Sequence, residues 1–397
     1  MTVSPNERAG VLKQAQALKM ARSVHAYVRG NTARFYDWLD ASDAARLIPQ
    51  GPPIWICGDC HLGNLGPLAD AGTNVDVQIR DLDQTVIGNP ALDLVRLGLS
   101  LETAARSSDL PGVTTARMIE AMADGYLRAF DRDDESETPR EPDVVRVVRK
   151  RAAGRKWRQL AAERIGDAKP SLPIGARFWP LTDEERSAID GLFADDAIRH
   201  RALALAGYRD KGRLRVIDAA YWKKGCSSLG QLRYAVLLGV AARKGAPEYL
   251  ALVDIKQAVA PLAPLLDRAA MPRDNAERVV AGARALSPNL GDRMIAARLL
   301  GRGVVLRELK PQDLKIEIAQ FSHRDAVRAA GYLAHVVGAA HARQLAPADR
   351  AAWQKLFARR GDAALDAPSW LWRAIVDSAG THEVAYLDHC RRFALND

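Results

Sequence analysis

The spacing of apolar residues changes several times along the chain, and each change predicts a different element. Apolar residues recur with helical spacing over residues 6–46, with a break at Gly30, and again over residues 89–130, with an interruption near residues 109–111. Between these segments, residues 53–57 form a short apolar run, and residues 75–79 alternate between apolar and polar, which is the period of a strand. The first third of the chain is therefore predicted to be helical, with a strand hairpin inside it.

Beyond an acidic, polar connector at residues 131–141, the pattern changes from helix to strand and back. Strands and helices that occur in separate runs are typical of an α+β fold. The last fifty residues also look helical. Strands are predicted at residues 214–223, 231–240, 248–258 and 304–309, and helices at residues 143–165, from 182, 274–286 and 322–344.

Composition narrows the class of protein but leaves its ligand open. Of the 397 residues, 48% are hydrophobic and 26% are charged, which fits a globular chain of two or three domains or one two-lobed unit. With 57 Lys and Arg against 48 Asp and Glu, the net charge of +9 suits an anionic ligand. Four cysteines do not make a disulfide framework.

The start of the chain and its apolar runs indicate a soluble protein. The first residues, MTVSPNERAGVLKQ, lack the basic and apolar regions of a secretory signal. The most apolar run, residues 235–242, is far shorter than a membrane span. We therefore expect a cytoplasmic protein without a membrane partner.

The densest group of chemically useful side chains lies between residues 57 and 93. The segment CGDCHLGN contains Asp59 and Asn64, and IRDLDQT, after the predicted hairpin, contains Asp81 and Asp83. Carboxylate and amide oxygens are the ligands that Mg²⁺ prefers. Phosphoryl transfer needs one carboxylate to orient the attacking hydroxyl and further oxygens to hold metal on the phosphates.

An ordered set of motifs here resembles the aminoglycoside and choline phosphotransferase branch of the protein-kinase-like superfamily. The motifs are G-D-x-H-x-x-N at residues 58–64, D-x-D at 81–83 and a helix carrying D-L at 93–94. Cys57 departs from the family, because a histidine usually stands before the Gly-Asp pair. That histidine is largely structural in kinases, so the departure is compatible with activity.

The resemblance implies a role for each of these residues. Asp59 would be the catalytic residue, and Asp93 would brace its loop. Asn64 and Asp81 would hold Mg²⁺, with Asp83 in support where the family often has Glu. Taken one by one, the same side chains would also fit ordinary loop caps and turns.

Three other motifs overlap this segment. C-x-x-C-H at residues 57–61 matches covalent haem attachment, which would require export. The two cysteines also suit a redox dithiol or half of a zinc site, but no second cysteine pair follows in the sequence. The Gly-Asp-x-His pattern also occurs in two-metal phosphoesterases. Those enzymes need several further histidine ligands, and this chain has only eight histidines, with no later His-x-His pair.

A glycine-containing turn lies much later, between the first two predicted strands of the β region. It runs from Gly225 to Gly230 and includes Ser227 and Ser228. Backbone N–H groups and two hydroxyls in such a turn would bind nucleotide phosphates. Alternatively, residues 225–230 are an ordinary hairpin turn without a ligand, since such turns commonly contain glycine.

A strand lysine and a helix glutamate follow this turn. Lys256 ends the third predicted strand, on the face opposite Ile255. Glu277, on the next helix, would pair with Lys256, or it would form a capping box with Asp274. Kinase-like enzymes need a glycine-rich turn, a strand lysine and a helix glutamate. Here they follow the catalytic loop, which implies a circularly permuted order.

This order predicts a two-lobed, protein-kinase-like fold with permuted chain order. The catalytic helical lobe would comprise residues 1–212 and 311–397, and the nucleotide-binding β lobe residues 213–310. Over about residues 20–345 the chain resembles a bacterial family of unknown function with a kinase-like fold. AYVRGN, with Arg29 in its Arg-Gly motif, and HAR at 341–343 belong to that resemblance.

The resulting prediction is a phosphotransferase that uses ATP and Mg²⁺ and acts on an unknown hydroxyl- or amine-bearing acceptor. Transfer of AMP in place of phosphate stays open. A nucleotide-binding regulator without turnover is one alternative. A basic nucleic-acid-binding protein is another, suggested by the Lys and Arg run at residues 146–158. We expect no nucleic-acid partner, because such a run usually forms a solvated helix face.

Overall fold

A computed structural model gives the fold of most of the chain. The structure describes residues 3–70, 72, 74–131, 140–165, 170–205, 212–226, 229–243, 246–316, 322–358 and 366–393. These residues form helices and antiparallel sheets joined by loops, so the α+β class is confirmed.

The first third of the chain contains three short helices, four short strands and two long helices. The helical segment predicted at residues 6–46 is three helices. One of them ends at Gly30, where a break was predicted, and Ser23 and Asn31 cap new first turns with their side chains. The elements are α1 (Arg8–Met20), α2 (Val24–Gly30), α3 (Thr32–Ala41), β1 (Ile54–Ile56), β2 (Leu65–Ala69), β3 (Val75–Ile79), β4 (Val86–Gly88), α4 (Pro90–Arg106) and α5 (Gly112–Arg128).

The predicted strand hairpin is present in this region. Strands β2 and β3 pair antiparallel, with Leu65 opposite Ile79, and β1 pairs antiparallel with β4. The N–H of Arg80 donates to the carbonyl of Asn64 at 2.6 Å, which extends the pairing beyond the strands. The loop after β1 and the loop after β3 are thereby held side by side.

The middle of the chain supplies a six-stranded antiparallel sheet and the helices that flank it. In the sheet the strands lie in the order β5-β6-β7-β8-β10-β9. The elements are α6 (Asp143–Ala153), α7 (Trp157–Arg164), β5 (Phe178–Trp179), α8 (Asp183–Ala194), α9 (Asp196–Leu205), β6 (Arg213–Trp222), β7 (Arg233–Ala241), β8 (Tyr249–Gln257), α10 (Asn275–Leu286), α11 (Pro288–Gly291), β9 (Met294–Leu299) and β10 (Arg302–Glu308).

Two features of this region differ from the prediction. The helix expected at 143–165 is two helices, α6 and α7, separated around Gly154. Strand β9 was not predicted, because Met294–Leu299 is rich in residues that favour helices. Its pairing with β10 across a turn at Leu300 and Gly301, both at positive φ, decides its conformation.

The sheet is covered by helices that come before the predicted β lobe. Side chains of α8 and α9 pack with Leu12 of α1 against the sheet. The short strand β5 also joins it, through Phe178 and Trp179. The predicted boundary at residues 212–213 therefore runs between the sheet and its own covering layer.

Helix α4 is the centre of the other part of the molecule. Every one of its residues except Arg106 is buried, as expected for a helix that is enclosed on all sides. It contacts α5, α14 and α12. The C-terminal helices are α12 (His323–Ala342), α13 (Pro347–Phe357) and α14 (Ser369–Phe393). Of the helices described, none has both the length and the apolar character needed to cross a membrane.

Helices α5 and α12 approach so closely that a side chain is excluded at one point. A Cβ placed on Gly125 of α5 would lie 2.1 Å from the carbonyl oxygen of Gly331 in α12. Relieving that clash requires one helix backbone to move away from the other. Gly125 is therefore a packing requirement of this helix pair.

We expect Gly125→Ala to lower the free energy of unfolding by about 1–3 kcal/mol, the usual cost of overpacking. Urea denaturation measures it. Gly112→Ala, in the same helix but with nothing within 4 Å of the added methyl group, is the control. It should change stability by less than about 0.5 kcal/mol. Equal midpoints for the two variants would contradict this account of the packing.

Candidate active site

The candidate site begins at the loop that follows β1, where the backbone turns sharply. Gly58 has a φ of +72°, and a Cβ there would lie 2.3 Å from the carbonyl oxygen of Gln84. Both facts require glycine. The turn sends the next residue, Asp59, towards the loop that follows β3.

Asp93, in the first turn of α4, holds this loop in place. Its two carboxylate oxygens accept the backbone N–H groups of Cys57 at 2.7 Å and Gly58 at 2.9 Å. The Nε2 atom of His341 in α12 lies 3.2 Å from the same carboxylate, and the hydroxyl of Tyr126 lies 3.0 Å from the other ring nitrogen. The loop is therefore tied to helices from both ends of the chain.

The Asp59 carboxylate is buried and has partners for both oxygens. The Nε of Arg96 donates to one oxygen at 2.9 Å, and the hydroxyl of Thr32 donates to the other at 2.9 Å. Burial raises the pKa of Asp59, although Arg96 and Thr32 act against that shift. A carboxylate with a raised pKa is suited to accepting a proton at neutral pH.

Arg96 and Thr32 were not predicted. Arg96 is one turn after Asp93 on the same face of α4, and that spacing was the available signal. Thr32 directly follows the AYVRGN segment and starts α3. Only the fold brings it 2.9 Å from a carboxylate that is 27 residues away.

The four predicted oxygen donors come together. The Nδ2 of Asn64 donates to the backbone carbonyl of Asp59 at 3.0 Å, which fixes the amide across the loop. A cavity of about 30 Å³ is lined by Asp59, Asn64, Asp81 and Asp83, together with Thr32, Gln84, Gln231 and Val259. Carboxylate and amide oxygens of this kind fit Mg²⁺.

Lys256 joins this group from the sheet. It is on β8, its neighbour Ile255 is buried on the opposite face, and its Nζ lies 3.5 Å from Asp81 and in contact with Asp83. Burial tends to raise the pKa of Asp81, but Lys256, Arg233 and others outweigh it and lower the pKa. The ammonium therefore occupies the space between two carboxylates.

Glu277 does not lie where the prediction placed it. Among the described residues Lys256 pairs with Asp81 and Asp83, and Glu277 is exposed and lines a separate cavity with Arg201 and Arg284. Asp274 caps the helix by accepting the N–H of Glu277 at 3.2 Å, which is one half of the capping box that was the alternative. The predicted pair was wrong, because the helix phase turns this position away from the cleft.

The next residue of α10, Arg278, is the one that links this helix to the loop after β3. Arg278 is buried, and its guanidinium donates to the carbonyl of Asp83 at 3.0 Å and to that of Val259 at 2.9 Å. It also donates to the carbonyl of Thr85. Burial lowers its pKa to about 10. Helix α10 is thus bound to the acidic loop through backbone carbonyls, a contact that has no sequence signature.

The glycine-containing turn is only partly described. Gly225 and Gly230 both have positive φ, at 96° and 98°. Ser227 and Ser228 lie outside the described residues. Gly225 and Cys226 line a cavity of about 500 Å³ that also touches Asn64 and Asp81, so the turn faces the same cleft as the oxygen donors.

The two cysteines of the loop are buried beside Asp93. Cys57, Cys60 and Asp93 place one ligand atom each within 4.8 Å of one another, a spacing compatible with a metal. Burial raises the pKa of Cys57, which disfavours the thiolate that a metal needs. Both oxygens of Asp93 already accept N–H groups, so a metal here would compete with the loop bracing.

The basic run at 146–158 has acidic neighbours. Arg149 forms two hydrogen bonds with Glu141, at 2.7 and 2.8 Å, and Arg155 pairs with Glu163 at 2.6 Å. Arg146 also pairs with Asp143. These pairs reduce the net positive charge of the face formed by α6 and α7.

Comparison with known proteins identifies the family. A family model described as "Uncharacterized protein conserved in bacteria (DUF2252)" matches residues 10–392. The chain belongs to this family. No curated protein and no solved structure matches it. The match covers the loop that carries Asp59, the six-stranded sheet and α12 together, which confirms the predicted membership of a bacterial family of unknown function.

In this DUF2252 protein the Asp93 bracing should be measurable. Asp93→Asn replaces an acceptor oxygen with an NH₂ group and leaves one buried loop N–H without a partner. We expect a loss of about 1–3 kcal/mol in the free energy of unfolding, measured by urea denaturation. Asp124→Asn, at an exposed ion pair with Arg128, should change it by less than about 0.5 kcal/mol. Similar losses of unfolding free energy in both variants would contradict the role of Asp93 in bracing the loop.

Proposed function

We propose that this protein is a phosphotransferase that uses Mg²⁺ and ATP, built on a protein-kinase-like fold with permuted chain order. One observation carries the proposal: Asp59, Asn64 and Asp81 line one cavity, and Lys256 reaches it from the sheet. These residues come from segments almost 200 positions apart. Each belongs to a motif that resembles its counterpart in the aminoglycoside and choline phosphotransferase branch.

The order of elements supports the kinase-like part of the proposal. A strand, the Gly225–Gly230 turn, a second strand and a lysine strand are followed by α10 and two further strands. Helix α12 follows, and its His341 reaches the residue that braces the catalytic loop. In a kinase-like fold the catalytic loop would come after that helix. Here it is encoded first, so the proposed fold is a permuted one.

The proposed chemistry assigns a role to each side chain. Asp59 would orient the acceptor hydroxyl or amine and accept its proton, in keeping with its raised pKa. Asn64 and Asp81, supported by Asp83, would hold Mg²⁺, which lowers the charge of the triphosphate when bound. Lys256 would leave its two carboxylates and contact the phosphates. Positioning and electrostatic stabilisation supply most of the catalysis in this class of reaction.

A regulator that binds nucleotide without turnover is the second candidate. It is favoured by the occupation of both Asp59 oxygens, one by Arg96 and one by Thr32. An acceptor hydroxyl would have to displace Thr32 or share its oxygen. A regulator would retain the metal and phosphate contacts but release no ADP.

The binding part of the proposal is tested by thermal denaturation. Millimolar Mg-ATP should raise the melting temperature by about 2–5 °C, because a ligand that binds only the folded state stabilises it. Lys256→Ala and Asp81→Ala should each abolish the shift, since each removes a contact to the phosphates or the metal. Lys13→Ala, at an exposed position of α1, should retain it. No shift in the unaltered protein would refute the proposal.

The catalytic part is tested by Asp59→Asn. We expect this variant to keep the Mg-ATP thermal shift but to release ADP about 10²–10⁴ times more slowly than the unaltered protein, with water as acceptor. The retained shift shows that the variant is folded. If Mg-ATP raises the melting temperature of the unaltered protein but that protein releases ADP no faster than Asp59→Asn, the regulator without turnover is the better description.

A further inference from the structure

The cavity of about 500 Å³ beside the candidate site is strongly basic. Eight of its lining residues are lysine or arginine, and Asp81 is the one carboxylate among them. The cavity has two ends. One is formed by the sheet and the loop after β3, and the other by α1, α2 and the loop between Asp59 and Asn64.

The cations at the sheet end have acidic partners. Arg233 forms two hydrogen bonds with Asp254, at 2.9 and 2.5 Å, and Lys224 lies 3.5 Å from the same carboxylate. Arg307 pairs with Asp313 at 2.8 Å. These side chains are therefore largely neutralised and fixed within the fold.

The cations at the helix end are different. In the described part of the chain, Arg22 and Arg29 form neither an ion pair nor a hydrogen bond, and the Nε of Arg29 is buried without a partner. Lys19 donates to the backbone carbonyl of Gly225 at 2.8 Å, which leaves its charge uncompensated. Burial and then Arg29 hold the pKa of His61 well below its usual value. None of the residues that line this end of the cavity is Asp or Glu.

This end is also next to the catalytic loop. A Cβ on Gly63 would lie 2.6 Å from a guanidinium nitrogen of Arg29, so the guanidinium rests directly on the loop between Asp59 and Asn64. His61, which lines the cavity, lies 3.9 Å from the Asp59 carboxylate. A molecule bound by Arg29 would therefore be held beside the residue that is proposed to take a proton from the acceptor.

Building on the proposed function, we propose that the acceptor is itself a phosphorylated small molecule, whose phosphate binds Arg22 and Arg29 with Lys19 nearby. Two guanidinium groups and an ammonium match a dianion, and arginine presents paired donors to phosphate oxygens. The acceptor hydroxyl oxygen would form a bond to the γ-phosphorus of ATP. The bond from that phosphorus to ADP would break, and the hydroxyl proton would pass to Asp59.

The experiment is a titration with inorganic phosphate in the presence of saturating magnesium and a non-hydrolysable ATP analogue, with sodium chloride added to constant ionic strength. The binding of phosphate is followed by calorimetry. We expect Arg29→Gln to weaken phosphate binding about tenfold or more while the affinity for the nucleotide stays within about twofold. Arg22→Gln, at an exposed position whose change leaves the core intact, should act in the same direction.

Two further variants separate this inference from the function on which it rests. Lys256→Ala should lose the nucleotide and keep phosphate binding, and Arg117→Gln, at an exposed position of α5, should change neither. Nucleotide binding without any phosphate binding, or phosphate binding that survives both Arg29→Gln and Arg22→Gln, overturns the inference alone. Phosphate binding in a protein that binds no nucleotide overturns the proposed function, and with it the assignment of the phosphate as part of an acceptor.

Discussion

The hydrogen bonds from two consecutive backbone N–H groups to one buried carboxylate are the interaction on which the rest of the site depends. Asp93 lies on the buried helix α4 and accepts both bonds from the loop, so the loop is fixed to the core of the protein. Unpaired N–H groups at this depth would each cost free energy, and the loop has no other described way to satisfy them. The position of Asp59 follows from this anchoring.

The sequence predicted those parts of the site that are encoded by local motifs. The loop and hairpin around Asp59 and Asp81 could be located because glycines, alternation and carboxylates occur within thirty residues. The lysine strand was found from its period. Glu277 was misplaced, since a one-residue difference in helix phase separates it from Arg278, which does face the loop. Thr32 was missed because only tertiary packing brings it to Asp59, whereas the spacing of Arg96 from Asp93 on α4 was a signal that was not used.

Charge balance in the cleft explains why so many cations coexist there. Lys256 offsets part of the negative charge of Asp81 and Asp83, and the arginines of the sheet end are matched by Asp254 and Asp313. Pairs of this kind are costly to break by removing one partner, because the other charge is then left buried without compensation.

The contact between His341 and Asp93 joins residues 248 positions apart. During synthesis from the N-terminus, the loop that carries Asp59 leaves the ribosome long before α12 does. Until about residue 342 has emerged, the carboxylate that organises the loop lacks its histidine, and α5 lacks the helix against which Gly125 is fitted. Because the residues that complete the site are encoded so far apart, its completion is a late event of folding, when most of the chain already exists.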